Sequence, residues 1–239
     1  MNSFVFIIPM RNAHNTIEHT IKSLFAQTCE SWRAIIIDDN SDELSILISE
    51  AIINKYNNFY NTNKLQLIKN TNRLWEVENV FNALNMCDKS EIVCRLDADD
   101  WLTDNDGLTI INNVYDSTQC DVLWTMHRWN YTNQNISANL PDNVDPYKYA
   151  WVSSHLKTWR ADLSFKVNPQ NYYINNEFVK RAGDQAIYLP VLKLATRKIF
   201  LPLTLYHYSI NITQDTFTSA DAKFQKFEAD YIRNRGFIY

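Results

Sequence analysis

The 239-residue sequence predicts an α/β fold with a mostly parallel central sheet flanked by helices. Three observations predict this class. Short apolar runs rich in β-branched residues alternate with helical segments of ten or more residues, which is the pattern of βαβ units. The runs are apolar throughout, as expected of strands buried on both faces. Two of them end directly in acidic residues, and ligand sites in open α/β sheets lie beyond the carboxyl ends of the strands.

The alternation fills the first half of the chain. Predicted strands cover residues 4–8, 32–38, 65–69 and 91–96, and predicted helices cover residues 16–27, 44–56 and 77–86. Because each strand is followed by a segment long enough to cross over the sheet, we expect the strands to run parallel. The loops after the strands should then meet at one edge of the sheet.

The rhythm changes from about residue 121. A longer strand is predicted first, then a polar connection, a helix over 184–195, a pair of strands at 198–202 and 204–209, and a helical tail over 219–235. Phe224, Phe227, Tyr231 and Ile232 recur at near-helical spacing in that tail, and we predict that they form its packing face. Since no Gly- or Ser-rich linker divides the chain, we expect one domain over 1–239, with halves 1–120 and 121–239.

The composition excludes several classes. Three glycines are too few for the common phosphate-binding loops, and a net charge of −4 without a basic cluster argues against broad attraction to nucleic acid or anionic lipid. The four cysteines, Cys29, Cys87, Cys94 and Cys120, form no CxxC pair, which favours reduced thiols. No transmembrane or secretory segment is recognisable, so we predict a soluble, cytoplasmic protein.

Acidic residues at the ends of two predicted strands indicate a site. VCRLDADDWL ends in Asp97, Asp99 and Asp100, and WRAIIIDDNSD ends in Asp38 and Asp39. Carboxylates two residues apart at a strand end are able to bind a hard cation such as Mg²⁺ or Mn²⁺ together with phosphate oxygens. The alternative is ordinary turn and cap chemistry, because a DxD motif is short.

Two blocks of the sequence resemble the family 2 glycosyltransferases of the GT-A fold. FIIPMRNAHNTIEHTIKSLFAQTCESWRAIIIDDNSD is similar to the opening block of that family, and CRLDADDW to its DxD block, in the same order. The resemblance implies a metal-dependent, inverting glycosyltransferase with a smaller C-terminal acceptor region. It would move a hexose from a nucleotide sugar, with UDP favoured, to an acceptor hydroxyl. A saccharide acceptor is favoured, and a modified nucleic-acid base remains open.

The resemblance also implies roles for the donor-binding residues. Asp39 would accept a hydrogen bond from the base of the nucleotide, with Asp38 beside it to orient the loop. Pro9 and Arg11 would pack along the base and ribose. Arg11 stands where the family often has an aromatic residue, so stacking there would be by the guanidinium group.

Further roles fall on the next two blocks. Arg73 would lie near the base or phosphates, although Leu74 and Trp75 follow it where the family usually has a Gly-containing stretch. Asp97 would lie near the ribose and the water shell of the metal, and Asp99 would be the direct ligand of Mn²⁺ or Mg²⁺.

The acceptor half carries the predicted catalytic base. AGDQAIYLP resembles an ED-type pair at a helix start, which makes Asp184 the predicted base, with Gln185 where the second acid often stands. Asp184 as a plain N-cap is the alternative. The resemblance makes His155 and Lys157 candidates to face phosphate or acceptor, and a buried, satisfied His155 is the alternative. His207 is a candidate third metal or diphosphate contact, and a structural strand residue is the alternative.

Two other functions stay open. One is a non-catalytic nucleotide- or sugar-binding module with a GT-A fold, which the Gln185 substitution allows. The other is a sugar-nucleotidyltransferase, an α/β enzyme that also uses acidic residues. Enzymes of that kind usually need a Gly-rich N-terminal loop, which this sequence lacks.

Overall fold

A mixed sheet with helices on both faces forms the centre of the protein. We describe it from a computed structural model that covers residues 2–129, 132, 135–209 and 220–239. The strands are β1 (Phe4–Met10), β2 (Trp32–Asp38), β3 (Leu65–Lys69), β4 (Ile92–Arg95), β5 (Trp101–Leu102), β6 (Val122–Trp129), β7 (Lys157–Arg160), β8 (Tyr173–Ile174), β9 (Glu177–Phe178) and β10 (Lys198–Tyr208). The helices are α1 (Ile17–Phe25), α2 (Glu43–Phe59), α3 (Trp75–Leu84), α4 (Gly107–Thr118), α5 (Ala161–Ser164), α6 (Gly183–Leu194) and α7 (Ala220–Arg235), with a 3₁₀ turn at Pro169–Tyr172.

The strand order confirms the predicted fold class. Within the described residues, eight strands join in the order β3-β2-β1-β4-β7-β6-β10-β5. The first four run parallel, as do β6 and β10, whereas β7 is antiparallel to both of its neighbours and β5 is antiparallel to β10. Strands from both halves of the chain therefore share one sheet.

The central strands are apolar on both faces because each face is covered by helices. Along β1, Phe4, Phe6 and Ile8 pack into one buried cluster, and Val5 and Ile7 pack into another. The first cluster includes residues of α1 and α4, and the second includes residues of α3 and α6. Each such side chain stabilises the fold by about 1.5–3 kcal/mol through burial. This explains why the strands were recognisable as continuous apolar runs.

The strands deliver polar residues to one edge of the sheet. β1, β2 and β4 are parallel and end at Met10, Asp38 and Arg95, so the loops that follow them start at the same edge. β7 runs in the opposite direction, and its first residue, Lys157, lies opposite Arg95 in register. This edge therefore has the ends of three strands and the start of one.

The strands of the second half depart from prediction. The predicted strand pair at 198–202 and 204–209 is one strand, β10, whose pairing with β6 shifts register between Phe200 and Thr204. Pro202 lies in that interval and has no N–H to donate to the ladder. A short hairpin of β8 and β9 was not predicted, and its turn uses Asn175 and Asn176 at φ of 52° and 66°. Asn tolerates the left-handed backbone that such turns require.

The predicted packing face of the C-terminal helix is wrong for three of its four residues. Phe224, Phe227 and Tyr231 are 43%, 55% and 37% exposed, whereas Ile232 is buried. The predicted start of this helix, Ser219, lies outside the described residues. The inner side of α7 instead carries the buried Glu228, whose carboxylate accepts hydrogen bonds from backbone N–H groups before α6. No helix in the described ranges has the length and apolar character needed to cross a membrane.

Glu228 binds the segment that leads into α6. Its Oε1 accepts a hydrogen bond from the backbone N–H of Lys180 at 3.0 Å, and its Oε2 accepts from those of Arg181 and Ala182 at 2.6 and 3.0 Å. Glu228 is 4% exposed, so water cannot easily take the place of its carboxylate as the acceptor of these hydrogen bonds. One side chain of the last helix thus fixes the entry to α6.

Replacing Glu228 by Ala should destabilise the protein, because three backbone donors lose their acceptor. We expect the free energy of unfolding to fall by about 2–4 kcal/mol in urea titrations, with Glu228→Gln intermediate. Asp230→Ala on the exposed side of the same helix removes only a surface ion pair with Lys226 and should cost less than about 1 kcal/mol. Equal losses for the Glu228 and Asp230 variants would contradict the capping role.

Candidate active site

A cavity opens at the carboxyl edge of the sheet, among the loops after β1 and β2, the start of α3, the end of β4 and the segment before α6. It is lined by five of the residues predicted from the sequence, Pro9, Arg11, Asp39, Arg73 and Asp97. They come from four separate stretches of the chain. The predicted convergence of strand-end residues on one site is therefore what the fold produces.

Asp38 and Asp39 shape the loops beside this cavity. Asp38 is fully buried, and its carboxylate accepts hydrogen bonds from the backbone N–H and the hydroxyl of Ser41. Asp39 Oδ1 accepts from the backbone N–H of Leu74 at 2.7 Å, and Oδ2 accepts from that of Trp75 at 3.0 Å. Asp39 lines the cavity and at the same time holds the loop that begins α3.

Trp75 takes the backbone conformation that glycine normally supplies. Its φ is 67°, which costs a bulky residue about 1–2 kcal/mol, and the two hydrogen bonds to Asp39 hold it there. The indole ring then lies against two guanidinium groups, with Cζ of Arg73 3.4 Å and Cζ of Arg181 4.6 Å from ring centroids. The chain thus keeps a left-handed turn without a glycine and gains an aromatic surface in the cavity.

Arg95 ties the end of β4 to α3. The guanidinium is 3% exposed as a residue and donates to Asp97 Oδ1 at 2.7 Å, Glu76 Oε1 at 2.8 Å and the Leu96 carbonyl at 2.7 Å. Burial opposes ionisation of Asp97, but the charge of Arg95 outweighs it and lowers the pKa of that carboxyl. Asp97 is therefore a fixed carboxylate on the cavity wall.

The other acids of the DADD run have different surroundings. Asp99 is exposed, and its backbone carbonyl accepts a hydrogen bond from the hydroxyl of Ser209. Asp100 is buried, and burial together with the charges of Asp97 and Asp99 raises its pKa to about 9. Its carboxyl group binds the hydroxyl of Tyr206 at 2.6 Å and the N–H of Ser209 at 2.7 Å. Asp100 thus joins this loop to β10.

The structure does not bring Asp97, Asp99 and His207 together as a ligand set. Among the described residues, no three His, Cys, Asp or Glu side chains converge in a way that could hold a metal ion. His207 stacks on Trp101 with ring centroids 3.7 Å apart, whereas Tyr206 and Tyr208 stack on His155. Because neighbouring strand residues point to opposite faces, His207 faces away from the His155 side of β10.

Asp184, Lys157 and His155 form a polar group beside the cavity, in which Lys157 and His155 are buried. Asp184 lies in the first turn of α6, and its Oδ1 is 2.6 Å from Nζ of Lys157. Lys157 also donates to Nδ1 of His155 at 3.2 Å, and Nε2 of His155 is 3.8 Å from Asp184 Oδ2. Burial opposes ionisation of Asp184, but Lys157 and His155 outweigh it and lower the pKa of the carboxyl well below its usual range.

Gln185 points elsewhere. Its Oε1 accepts a hydrogen bond from Nε of Arg233 in α7 at 2.6 Å. A side chain at this position is therefore used in packing α6 against α7, and the residue that faces Lys157 is Asp184.

Several residues at this edge were missed from the sequence. Arg95, Glu76, Lys180 and Arg181 line the cavity, and Tyr206 binds the DADD loop from β10. A signal existed for Arg95, because an arginine inside the apolar run EIVCRL needs a buried partner. The others carry no local signal, since their position depends on contacts between distant segments.

The family model described as "Glycosyl transferase family 2" matches residues 5–171, which is more than half of the chain. No curated protein sequence matches. Among solved structures, S. aureus TarS 1–349 in complex with UDP is 18% identical, with a TM-score of 0.67 over 97% of this chain and 64% of that chain. The complex of TarS 1–349 with UDP-GlcNAc is 17% identical, with a TM-score of 0.62 over 87% of this chain and 59% of that chain.

A third solved structure has the same fold. The mannosyltransferase PcManGT from Pyrobaculum calidifontis, in complex with GDP-Man and Mn²⁺, is 13% identical, with a TM-score of 0.61 over 96% of this chain and 69% of that chain. At these identities the likeness concerns the fold, which is that of GT-A enzymes. The chain spans less than two thirds of the length of the TarS structures that it matches.

The buried His155 should make stability fall in mild acid. Burial and Lys157 lower the pKa of His155 to about 3, against the charge of Asp184, while an unfolded imidazole titrates near 6.5. Between these values the unfolded chain binds a proton that the folded chain does not. Stability should therefore decrease by about 1.4 kcal/mol per pH unit from this residue alone as pH falls from about 6 to 4.

Urea titrations from pH 7 to pH 4.5 measure this slope. His155→Phe keeps a ring between Tyr206 and Tyr208, and His155→Gln keeps a hydrogen-bond acceptor for Lys157. Both variants lack the titrating imidazole, so both should flatten the slope by the same amount whatever their stability at pH 7. An unchanged slope in either variant counts against a neutral, buried His155.

Proposed function

The chain belongs to glycosyltransferase family 2, and from that premise we propose that it transfers a sugar from a nucleotide-sugar donor to an acceptor hydroxyl with inversion. One observation carries the proposal. Pro9, Arg11, Asp39, Arg73 and Asp97 line a single cavity, and Asp184, paired with the buried Lys157, lies beside the same edge of the sheet. The arrangement places a candidate donor site next to a candidate base.

The donor would lie along the loops after β1 and β2. Pro9 and Arg11 offer a surface for a base and ribose, and Arg73, Lys180 and Arg181 add positive charge for a diphosphate. We favour a UDP-linked hexose, which the UDP and UDP-GlcNAc complexes of TarS support. The GDP-Man complex of PcManGT makes a GDP-sugar the second choice.

We propose a divalent ion whose coordination is completed by phosphate oxygens of the donor. Mg²⁺ and Mn²⁺ commonly bind one or two carboxylates together with substrate phosphates and water. Asp99 is exposed at the strand end and would be the protein ligand, with Asp97 close by in the chain but held by Arg95. Bound there, the ion would neutralise charge on the departing nucleotide diphosphate. We leave His207 out of this set because of its stacking on Trp101.

Asp184 would be the catalytic base. Lys157 keeps its carboxyl ionised at neutral pH, and Oδ1 is engaged by that lysine. Oδ2 is the oxygen left to accept a proton from the acceptor hydroxyl, and the side chain is 38% exposed. Lys157 and His155 would then act on the base rather than on phosphate, since both are buried and contact Asp184 or each other.

The acceptor is proposed to be a saccharide hydroxyl. A second cavity joins the first through Arg73, Trp75 and Lys180, and it adds the aromatic rings of Tyr173 and Phe178. Aromatic faces beside a few polar groups suit a sugar ring. A non-catalytic module with the same fold is the alternative, and the two assays below separate it from an enzyme.

Binding of UDP should depend on metal and on Asp99. Isothermal titration should show affinity for UDP that rises roughly ten-fold or more with Mn²⁺, and Asp99→Ala should remove that gain, because the ion loses its protein ligand. Glu30→Ala makes the same change of charge before β2, at the opposite edge of the sheet, and should leave UDP binding unaltered. UDP binding that is indifferent to Mn²⁺ contradicts the metal-dependent donor site.

Turnover should depend on Asp184. Asp184→Asn keeps the shape of the side chain but cannot take a proton, so hydrolysis or transfer from a UDP-sugar should slow by about 10²–10⁴-fold while UDP binding persists. Gln185→Ala, one residue along the helix, should retain activity within about three-fold because Gln185 contacts Arg233. Full activity of Asp184→Asn would show that Asp184 is not the base. Wild-type binding without any turnover across UDP- and GDP-sugars would favour the non-catalytic module.

A further inference from the structure

Glu76 is a cavity carboxylate to which no role was assigned. It lies in the first turn of α3, its side chain is 28% exposed, and it lines the cavity together with Asp97 and Arg181. Oε1 accepts hydrogen bonds from Nη2 and Nε of Arg95 at 2.8 and 3.2 Å. Oε2 makes no hydrogen bond to any described residue. One oxygen is therefore fixed, and the other is available to a ligand.

The position of Oε2 is set against α6. A Cβ atom added to Gly183 would lie 2.1 Å from Glu76 Oε2 and 2.4 Å from its Cδ. Real atoms do not approach so closely, so the carboxylate occupies the space that a side chain at 183 would need. Gly183 directly precedes Asp184. Glu76 thus lies next to the proposed base although it comes from another helix.

Arg95 fixes the other side of Glu76. The same guanidinium binds Glu76 Oε1 at 2.8 Å and Asp97 Oδ1 at 2.7 Å. Glu76 is therefore held between the end of β4, where the diphosphate is proposed to lie, and the start of α6, where the base lies. In an inverting transfer the reacting sugar must lie between its leaving diphosphate and the base, because the two act on opposite faces of the reacting carbon.

The chemistry of Glu76 suits a sugar hydroxyl. A carboxylate oxygen accepts hydrogen bonds only, and a bond from a neutral hydroxyl to an ionised acceptor is among the stronger ones. Burial raises the pKa of Glu76, Arg95 opposes this, and the charges of Asp184 and Asp97 add to the rise. A carboxylate that lies near two other negative charges is stabilised when a hydroxyl group donates a hydrogen bond to it.

From this geometry we propose that Glu76 Oε2 binds a hydroxyl of the transferred sugar and selects the donor by it. The proposal rests on the proposed function and deepens it. Glu76 would be a sugar-binding residue that Arg95 holds by hydrogen bonds and for which Gly183 leaves space. A site built to bond a hydroxyl discriminates strongly against sugars that do not present one there, because its polar group is then left unpaired.

The test compares UDP with a UDP-sugar. Isothermal titration with Mn²⁺ would use UDP and whichever of UDP-glucose, UDP-galactose and UDP-GlcNAc binds the wild-type chain most tightly. Glu76→Gln and Glu76→Ala should leave the affinity for UDP within about two-fold and weaken the UDP-sugar by roughly ten-fold. Glu43→Gln, in the first turn of α2 and outside both cavities, makes the same change of charge and should affect UDP and the UDP-sugar equally.

Gly183→Ala provides an independent variant that keeps the carboxylate. Its Cβ should displace Glu76 Oε2 and weaken the UDP-sugar selectively, and in the double variant with Glu76→Ala the two losses should not add, because both act at one contact. Equal losses of UDP and UDP-sugar affinity, or no loss, overturn the inference while UDP binding still supports the proposed function. A wild-type chain that binds neither UDP nor a UDP-sugar overturns both.

Discussion

Two buried cations on neighbouring strands are the constraint on which the rest of the site depends. Arg95 of β4 and Lys157 of β7 lie opposite each other in register, and they are 3% and 2% exposed. Like charges across a strand pair destabilise a sheet, and a buried charge without a partner costs several kcal/mol. The fold therefore has to bring acids to this point. It does so from three elements, with Asp97 after β4, Glu76 in α3 and Asp184 in α6.

This requirement explains why residues far apart in the chain meet. Each of the three acids offsets part of the charge of a buried cation, so the acids contribute to stability as well as to any chemistry. The two helices that carry Glu76 and Asp184 are themselves held by carboxylates of other elements. Glu228 of α7 caps the backbone before α6, and Asp39 holds the left-handed turn at Trp75 that begins α3. Hydrogen bonds from Glu228 and Asp39 thus help to set the positions of Asp184 and Glu76.

The same logic shows which parts of the structure could be predicted from the sequence. The strands of the first half were found because helices cover both faces and make them continuously apolar, and the acids at their ends follow from parallel topology. The contact of Glu76 with Gly183 has no local pattern, since it joins two helices that the chain places far apart. The face of α7 was predicted from aromatic spacing, but a single carboxylate that caps three N–H groups decided its orientation. Trp75 at φ 67° was equally hidden, because sequence patterns reserve that backbone for glycine.

Pairing inside the site also determines where a negatively charged donor can be neutralised. Arg95 and Lys157 are already engaged by Asp97, Glu76 and Asp184, so their charge is not available to a diphosphate. The positive charge that remains at the cavity comes from Arg11, Arg73, Lys180 and Arg181 on its walls, and three of these are partly offset by pairs with Asp39, Glu177 and Asp221. In the proposed reaction, a divalent ion held at the exposed Asp99 would add to the charge that these side chains offer a departing diphosphate, because the buried cations are already paired.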